Sequence, residues 1–159
     1  MRKLVVAMML LASSAYANDR IVIEDDMGGE VAVYRTQSVE YMLDGKKLAI
    51  KGACASACNI YLMREFNLDV CAMPGSLLAF HIPYFGLAKA DGEWEAGIDE
   101  QWADENERYW RKNWLGHFNT KLNIILASAT KKGLIPSPNR DGDTGKMYVI
   151  KATSVLPRC

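Results

Sequence analysis

The sequence predicts an α/β fold with a parallel sheet flanked by helices and stapled by disulfides, on three observations. A strand, a glycine turn, a helix and a second strand follow one another across residues 21–51. Further β-α units continue that order to residue 82. Four cysteines, Cys54, Cys58, Cys71 and Cys159, make an even set. Two strands joined through a helix in one sheet are expected to be parallel, with a right-handed crossover.

The chain starts with a basic pair, Arg2 and Lys3, then an apolar run from Leu4 to Ala12 and a small-residue end, Ala15-Tyr16-Ala17. This is the pattern of a secretory signal peptide, with cleavage expected after Ala17. The apolar run is too short for a bilayer span, and no later stretch approaches the roughly 20 apolar residues a membrane helix needs. The expected mature chain is Asn18 to Cys159, periplasmic or secreted, and its length fits one domain. Basic and acidic residues number 19 each in the whole sequence, so losing Arg2 and Lys3 leaves a small acidic excess. Nothing in that balance suggests a nucleic acid or an anionic membrane as partner.

Ile21-Val22-Ile23 is a β-branched run and a predicted strand. Glu24-Asp25-Asp26 and Met27-Gly28-Gly29 follow, acidic and then glycine-rich, where the backbone can take positive φ. From Glu30 to Leu43 the spacing of Val31, Tyr34 and Met42 predicts a helix, stopped at Asp44-Gly45. Lys47 to Lys51 is the next strand, and Ser56 to Phe66 reads as the next helix. Leu68 to Met73 and Leu77 to Ile82 are strand candidates on either side of Pro74-Gly75, and Gly86 to Gly97 reads as a polar loop. Glu100 to Phe118 is the longest predicted helix, with Trp110, Trp114 and Phe118 at i, i+4 and i+8. That aromatic stripe is either core packing, a peptide-holding groove or a subunit contact through which a homo-oligomer would form. Lys121 to Lys132 predicts a helix ended by Gly133, Pro136 to Lys146 a loop, and Met147 to Lys151 a last strand.

In an exported chain four cysteines read as two disulfides, and of the three pairings they allow the sequence selects none. A metal site competes poorly, because the two histidines do not lie at ligand spacing from the cysteines. No metal and no cofactor is expected.

The residues that point to chemistry centre on Cys54-Ala55-Ser56-Ala57-Cys58, where a predicted strand meets a predicted helix. A serine hydroxyl needs a base to take its proton and donors to hold the developing oxyanion. At a helix start the amides are unsatisfied and the dipole favours negative charge, so the amide of Ala57 is a natural donor. Gly28-Gly29, at the carboxyl end of the adjacent strand, is placed to present a second. His81, 25 residues beyond Ser56, is the candidate base. The plainer readings are a serine that caps its helix and a structural histidine at the end of a strand.

Gly28-Gly29, then Gly52-Ala53-Cys54-Ala55-Ser56-Ala57, then Pro74 and His81 resemble the oxyanion glycines, nucleophile turn and base strand of the Clp protease proteolytic subunit family. The Cys-x-Ser-Ala-Cys motif, with Cys71 and a cysteine near the C-terminus, is closer still to small exported bacterial proteins of the same Clp/crotonase-like fold. The likeness covers residues 21–86. It implies Ser56 as nucleophile, His81 as general base and the amides of Gly29 and Ala57 as oxyanion hole, acting on a peptide or protein substrate. The family's orienting aspartate has no counterpart at the family's spacing; Asp143 is the nominee, Asp141 the next choice, and a bare Ser-His dyad the alternative. Glu24-Asp25-Asp26 is a second departure, because it puts negative charge near the proposed oxyanion unless those carboxylates point away. The expectation is an exported serine hydrolase, a peptidase. Its rivals are an inactive Clp-like fold that binds a partner, and an acyl-CoA enzyme of crotonase type, which an exported compartment without coenzyme A disfavours.

Overall fold

The computed structural model describes residues 20–88, 94–97, 100–137 and 146–159, with only the backbone described over 85–103. The predicted signal peptide, Asp141 and Asp143 lie outside the described residues.

The chain opens with β1 (Arg20–Asp26), α1 (Val31–Leu43) and β2 (Lys47–Ala55), the predicted β-α-β unit, with β1 and β2 parallel and Ile21 and Ile23 opposite Leu48 and Ile50. β2 is long enough to serve two neighbours on its other side. Its first half pairs with β3 (Asp69–Ala72) and its second half, Ala53 to Ala55, with β4 (Leu77–Phe80), both in parallel.

The sheet is mixed rather than wholly parallel. β7 (Tyr148–Lys151) runs antiparallel to β4, with Ala79 opposite Val149. An antiparallel strand added at the edge of a parallel sheet needs no further crossover helix, which makes it a common way to close one.

Two further expectations change. The predicted helix over residues 56–66 is two 3₁₀ segments, Ser56–Leu62 and Arg64–Phe66, separated by an extended Met63. The Cys54–Cys58 disulfide holds the Cα atoms 5.4 Å apart, tying this segment back to the end of β2, and the tighter 3₁₀ turn accommodates the tie. Across residues 86–97, read as a polar loop, the described residues form two short strands, β5 (Phe85–Ala88) and β6 (Trp94–Gly97), paired antiparallel. Strands of four residues are too short for alternation to register as a period.

α2 (Glu100–Asn113) ends one turn before the prediction, and α3 (Thr120–Lys131) starts from Asn119, whose side chain accepts the amide of Leu122 at 2.9 Å. Trp110, Trp114 and Phe118 are buried at 0, 3 and 0% exposure, with Trp110 stacked on Trp114, Phe118 tilted against Trp114, and Phe118 edge-on to Phe80 of β4. The stripe therefore packs the chain's own core against the sheet, with Leu122 and Leu126 of α3, which is the core-packing reading of these three residues. Trp110 donates its indole N–H to Thr130 Oγ1 at 3.0 Å, which satisfies the ring's one polar atom.

The second disulfide joins Cys71 of β3 to Cys159 across 88 residues. It fixes the C-terminal tail along β3, where Ala72 donates to Pro157 O and accepts from the amide of Cys159. Among the described residues no helix is long and apolar enough to cross a membrane.

Candidate active site

Ser56 stands where β2 leaves the sheet. Ala55 before it is extended, whereas Ser56 takes φ +51°, a left-handed conformation that side-chain-bearing residues rarely adopt. Extended strand followed at once by a left-handed residue and a helical turn makes a sharp elbow, the local geometry that lifts a serine hydroxyl clear of its backbone.

His81 is the first residue beyond β4 and is 7% exposed. Its Nε2 lies 2.7 Å from Ser56 Oγ, and its Nδ1 lies 2.8 Å from the carbonyl oxygen of Ile82. A carbonyl can only accept, so Nδ1 carries the proton and Nε2 is left with a lone pair facing the serine hydroxyl. Burial pushes the imidazole below its ordinary pKa, and the Ile82 carbonyl offsets this only in part. The ring is therefore neutral near pH 7, the state in which it accepts a proton.

Nδ1 has one hydrogen, and Ile82 holds it. The position an orienting carboxylate would take is thus occupied by a backbone carbonyl within the described residues. Asp143 and Asp141 lie outside those residues.

The glycine pair divides its work. Gly28 has φ +84°, and a Cβ built on it would sit 2.6 Å from Ala55 O, 2.8 Å from Ala57 N and 2.8 Å from Ser56 Cβ. Those are distances no real Cβ tolerates from backbone, so only glycine leaves the space over the elbow open. A Cβ on Gly29 would meet only Tyr34, at 3.6 Å. Gly28 donates its own amide to Asp26 Oδ1 at 2.8 Å, whereas the amide of Gly29 has no acceptor among the described residues. The amide of Ala57 belongs to the first turn of its 3₁₀ segment, where no intrahelical acceptor exists. Gly29 and Ala57 thus keep the free donors, and Gly28, which the sequence offered only as part of the oxyanion pair, shapes the cradle.

Each carboxylate of the acidic run leading into the loop has a partner, and that of Asp26 lies on the glycine loop itself. Glu24 pairs with Lys51 at 2.6 Å. Asp25 Oδ1 accepts the amide of Ala53 at 2.9 Å, close enough to fill the place of a Gly52 Cβ. Asp26 Oδ1 accepts from Gly28 and, at 2.6 Å, from the hydroxyl of Tyr34. Burial drives the Tyr34 phenol well above its ordinary value, so it stays protonated and donates. Asp25 therefore ties β1 to the approach to the elbow and Asp26 builds the glycine turn, while Glu24 makes an exposed ion pair between the strands.

Asn59 escaped the sequence reading. It is fully buried, and its Nδ2 donates to Ser56 O at 3.2 Å and to Ala79 O at 2.8 Å. The signal was present: one amide stands inside the apolar run Ala57-Cys58-Asn59-Ile60-Tyr61-Leu62. Tyr84 and Met27, both well exposed, flank the histidine and the glycine loop. No protein-family model, curated protein or solved structure compared with this chain matches it.

Proposed function

We propose that the chain is an exported serine hydrolase, a peptidase of Clp/crotonase-like fold, in which Ser56 and His81 act as a dyad. The observation that carries this is the 2.7 Å contact between Ser56 Oγ and an Nε2 whose lone pair is fixed by the Nδ1–Ile82 bond. A buried, neutral histidine on the hydroxyl of a left-handed serine is costly as mere architecture and useful as an activated nucleophile.

Ser56 Oγ attacks the carbonyl carbon of a peptide bond as its proton passes to His81 Nε2. The carbonyl oxygen gains the negative charge and is held by the amides of Ala57 and Gly29. The imidazolium returns its proton to the departing amine, the C–N bond breaks, and an acyl group remains on Ser56. Water, deprotonated by the same Nε2, releases the acid and restores the serine. Ile82 orients the ring without a charge, so the imidazolium is less stabilised than beside a carboxylate; a triad aspartate contributes about 10⁴ in rate, and turnover is expected to be slow. The predicted signal peptide and the two disulfides support an oxidising, exported compartment.

A fluorophosphonate probe tests the reading on the folded, oxidised protein. Labelling is expected in the wild type and in Asp143→Ala, and is expected to vanish in Ser56→Ala and His81→Ala. Folded wild-type protein that stays unlabelled defeats the hydrolase and leaves a binding protein of the same fold.

A further inference from the structure

We infer that Asn59 is a positioning residue that holds the Ser56 elbow and the strand bearing His81 in one frame; the catalytic meaning of that frame rests on the hydrolase reading above. Its two donated bonds run to the nucleophile's own carbonyl and to Ala79 O, two residues before the histidine. Two carbonyl acceptors fix the amide's orientation, since the flipped form would set oxygen against oxygen.

The place of this clasp in the fold explains why it is needed. Ala55 and Ala79 are the last residues that pair β2 with β4. Beyond them β2 turns away, and no ladder bond connects Ser56 to the histidine strand. Asn59 lies three residues after Ser56 in a 3₁₀ segment, where i and i+3 eclipse, so its side chain returns over the elbow to close that gap. A left-handed serine relaxes unless its surroundings hold it, and the carbonyl of Ser56 is the handle that is held.

The chemistry of the side chain argues against a simple core filler. Asn59 Oδ1 is buried without a partner among the described residues, an expense that a leucine of similar size would not incur. Ser76 supplies a contrast: it is equally buried and donates Oγ to Ile50 O at 2.7 Å, joining β4's entrance to β2 without touching the elbow.

The test compares Asn59→Leu with Ser76→Ala on the full mature chain. A misplacement of about 1 Å costs on the order of 10²-fold in rate. The expected result is a fall of that size in the maximal rate of fluorophosphonate inactivation for Asn59→Leu. The inhibitor's reversible binding constant should stay put, and Ser76→Ala should lose thermal stability while keeping its rate. Equal rate losses in the two variants, or a wild-type rate in Asn59→Leu, overturn the role. Asn59→Ser, too short to span both acceptors, takes its place if Asn59→Leu does not fold. The nitrogen chemical shift of His81 Nε2 reads the Ser56 bond whether or not the protein reacts. If the wild type is unlabelled, the hydrolase reading fails alone. The clasp then stands when the Asn59 variant moves that shift to its Ser56→Ala value, and falls when the shift keeps its wild-type value.

Discussion

Residues 20–84 and residues 100–159 differ in where the backbone is strained. In the first region the left-handed turns include residues with side chains, Asp25, Ser56 and Asn67, and the glycines Gly28 and Gly52 are crowded by backbone or carboxylate atoms. Asp25, Asp26, Asn59 and Ser76 bond directly to main-chain groups there. In the second region the left-handed residues among those described are Gly116 and Gly133, and a Cβ on either would meet nothing within 4 Å. Its burial is chiefly aromatic and aliphatic, from Trp110, Trp114, Phe118, Leu122 and Leu126. Strain gathers around Ser56, where geometry must be exact to a fraction of an ångström, whereas dense apolar packing serves both regions, through Leu48, Ile50, Ile60, Tyr61 and Phe80 in the first as through the aromatic stripe in the second.

The largest test of that division sets Gly28→Ala against Trp110→Ala. The new Cβ in Gly28→Ala meets Ala55 O and Ala57 N, so the oxyanion donor must move. Losing one such donor costs about 10²–10³ in rate, and a loss of that size in fluorophosphonate labelling per folded molecule is expected, beside the stability that the backbone clash costs. Trp110→Ala removes a fully buried ring and its bond to Thr130. About 3–5 kcal/mol of stability should go, read by urea unfolding, while labelling per folded molecule stays at the wild-type level. If the two variants exchange these signatures, the division is wrong.

The disulfides sharpen the comparison because the bond is the same and only the loop differs. Loop-closure entropy gives the 88-residue separation of Cys71 and Cys159 about 4.6 kcal/mol, and the four-residue separation of Cys54 and Cys58 about 2 kcal/mol. A Cys71→Ala/Cys159→Ala protein should therefore lose more stability than a Cys54→Ala/Cys58→Ala protein, as measured by urea midpoints. The order should invert for labelling rate, since Cys54 and Cys58 bracket the Ser56 elbow. Equal rate losses would mean that the short disulfide does not shape the site.

What was legible in the sequence divides along the same line. β1, α1 and β2 follow from local pattern, because a β-branched run, a glycine pair and helical spacing each act within a few residues. The Ser56–His81 pair was singled out by the resemblance of the nucleophile turn and base strand to those of the Clp protease family, not by residue types alone, and the structure brings the two side chains together. The 3₁₀ form of residues 56–62 was not, because it depends on a covalent tie whose pairing the sequence left open. The antiparallel entry of β7 is set by long-range packing and leaves no local mark. The roles of Gly28, Asp26 and Asn59 were hidden for a related reason: each is defined by an atom elsewhere in the chain, as far away as Ala57 is from Gly28, not by its own type.

The smallest expected effect is the pH dependence that His81 imposes, and it bears on the dyad most directly. Burial places the folded-state pKa of His81 below the ordinary histidine value of about 6.5. Between the two values the unfolded chain binds more protons than the folded one, so stability is complete above about pH 6.5 and declines as pH falls through that window. Urea midpoints for wild type and His81→Gln measured from pH 7.5 downward should converge as the pH drops, whereas Trp110→Ala should run parallel to wild type throughout. The acid limb of the labelling rate should likewise lie below pH 6.5, because a neutral carbonyl, not an anion, holds Nδ1. A carboxylate at that nitrogen would raise the imidazole's pKa by stabilising its charged form. A limb displaced above 6.5, and returned below it by Asp143→Ala or Asp141→Ala, would replace the dyad with a triad.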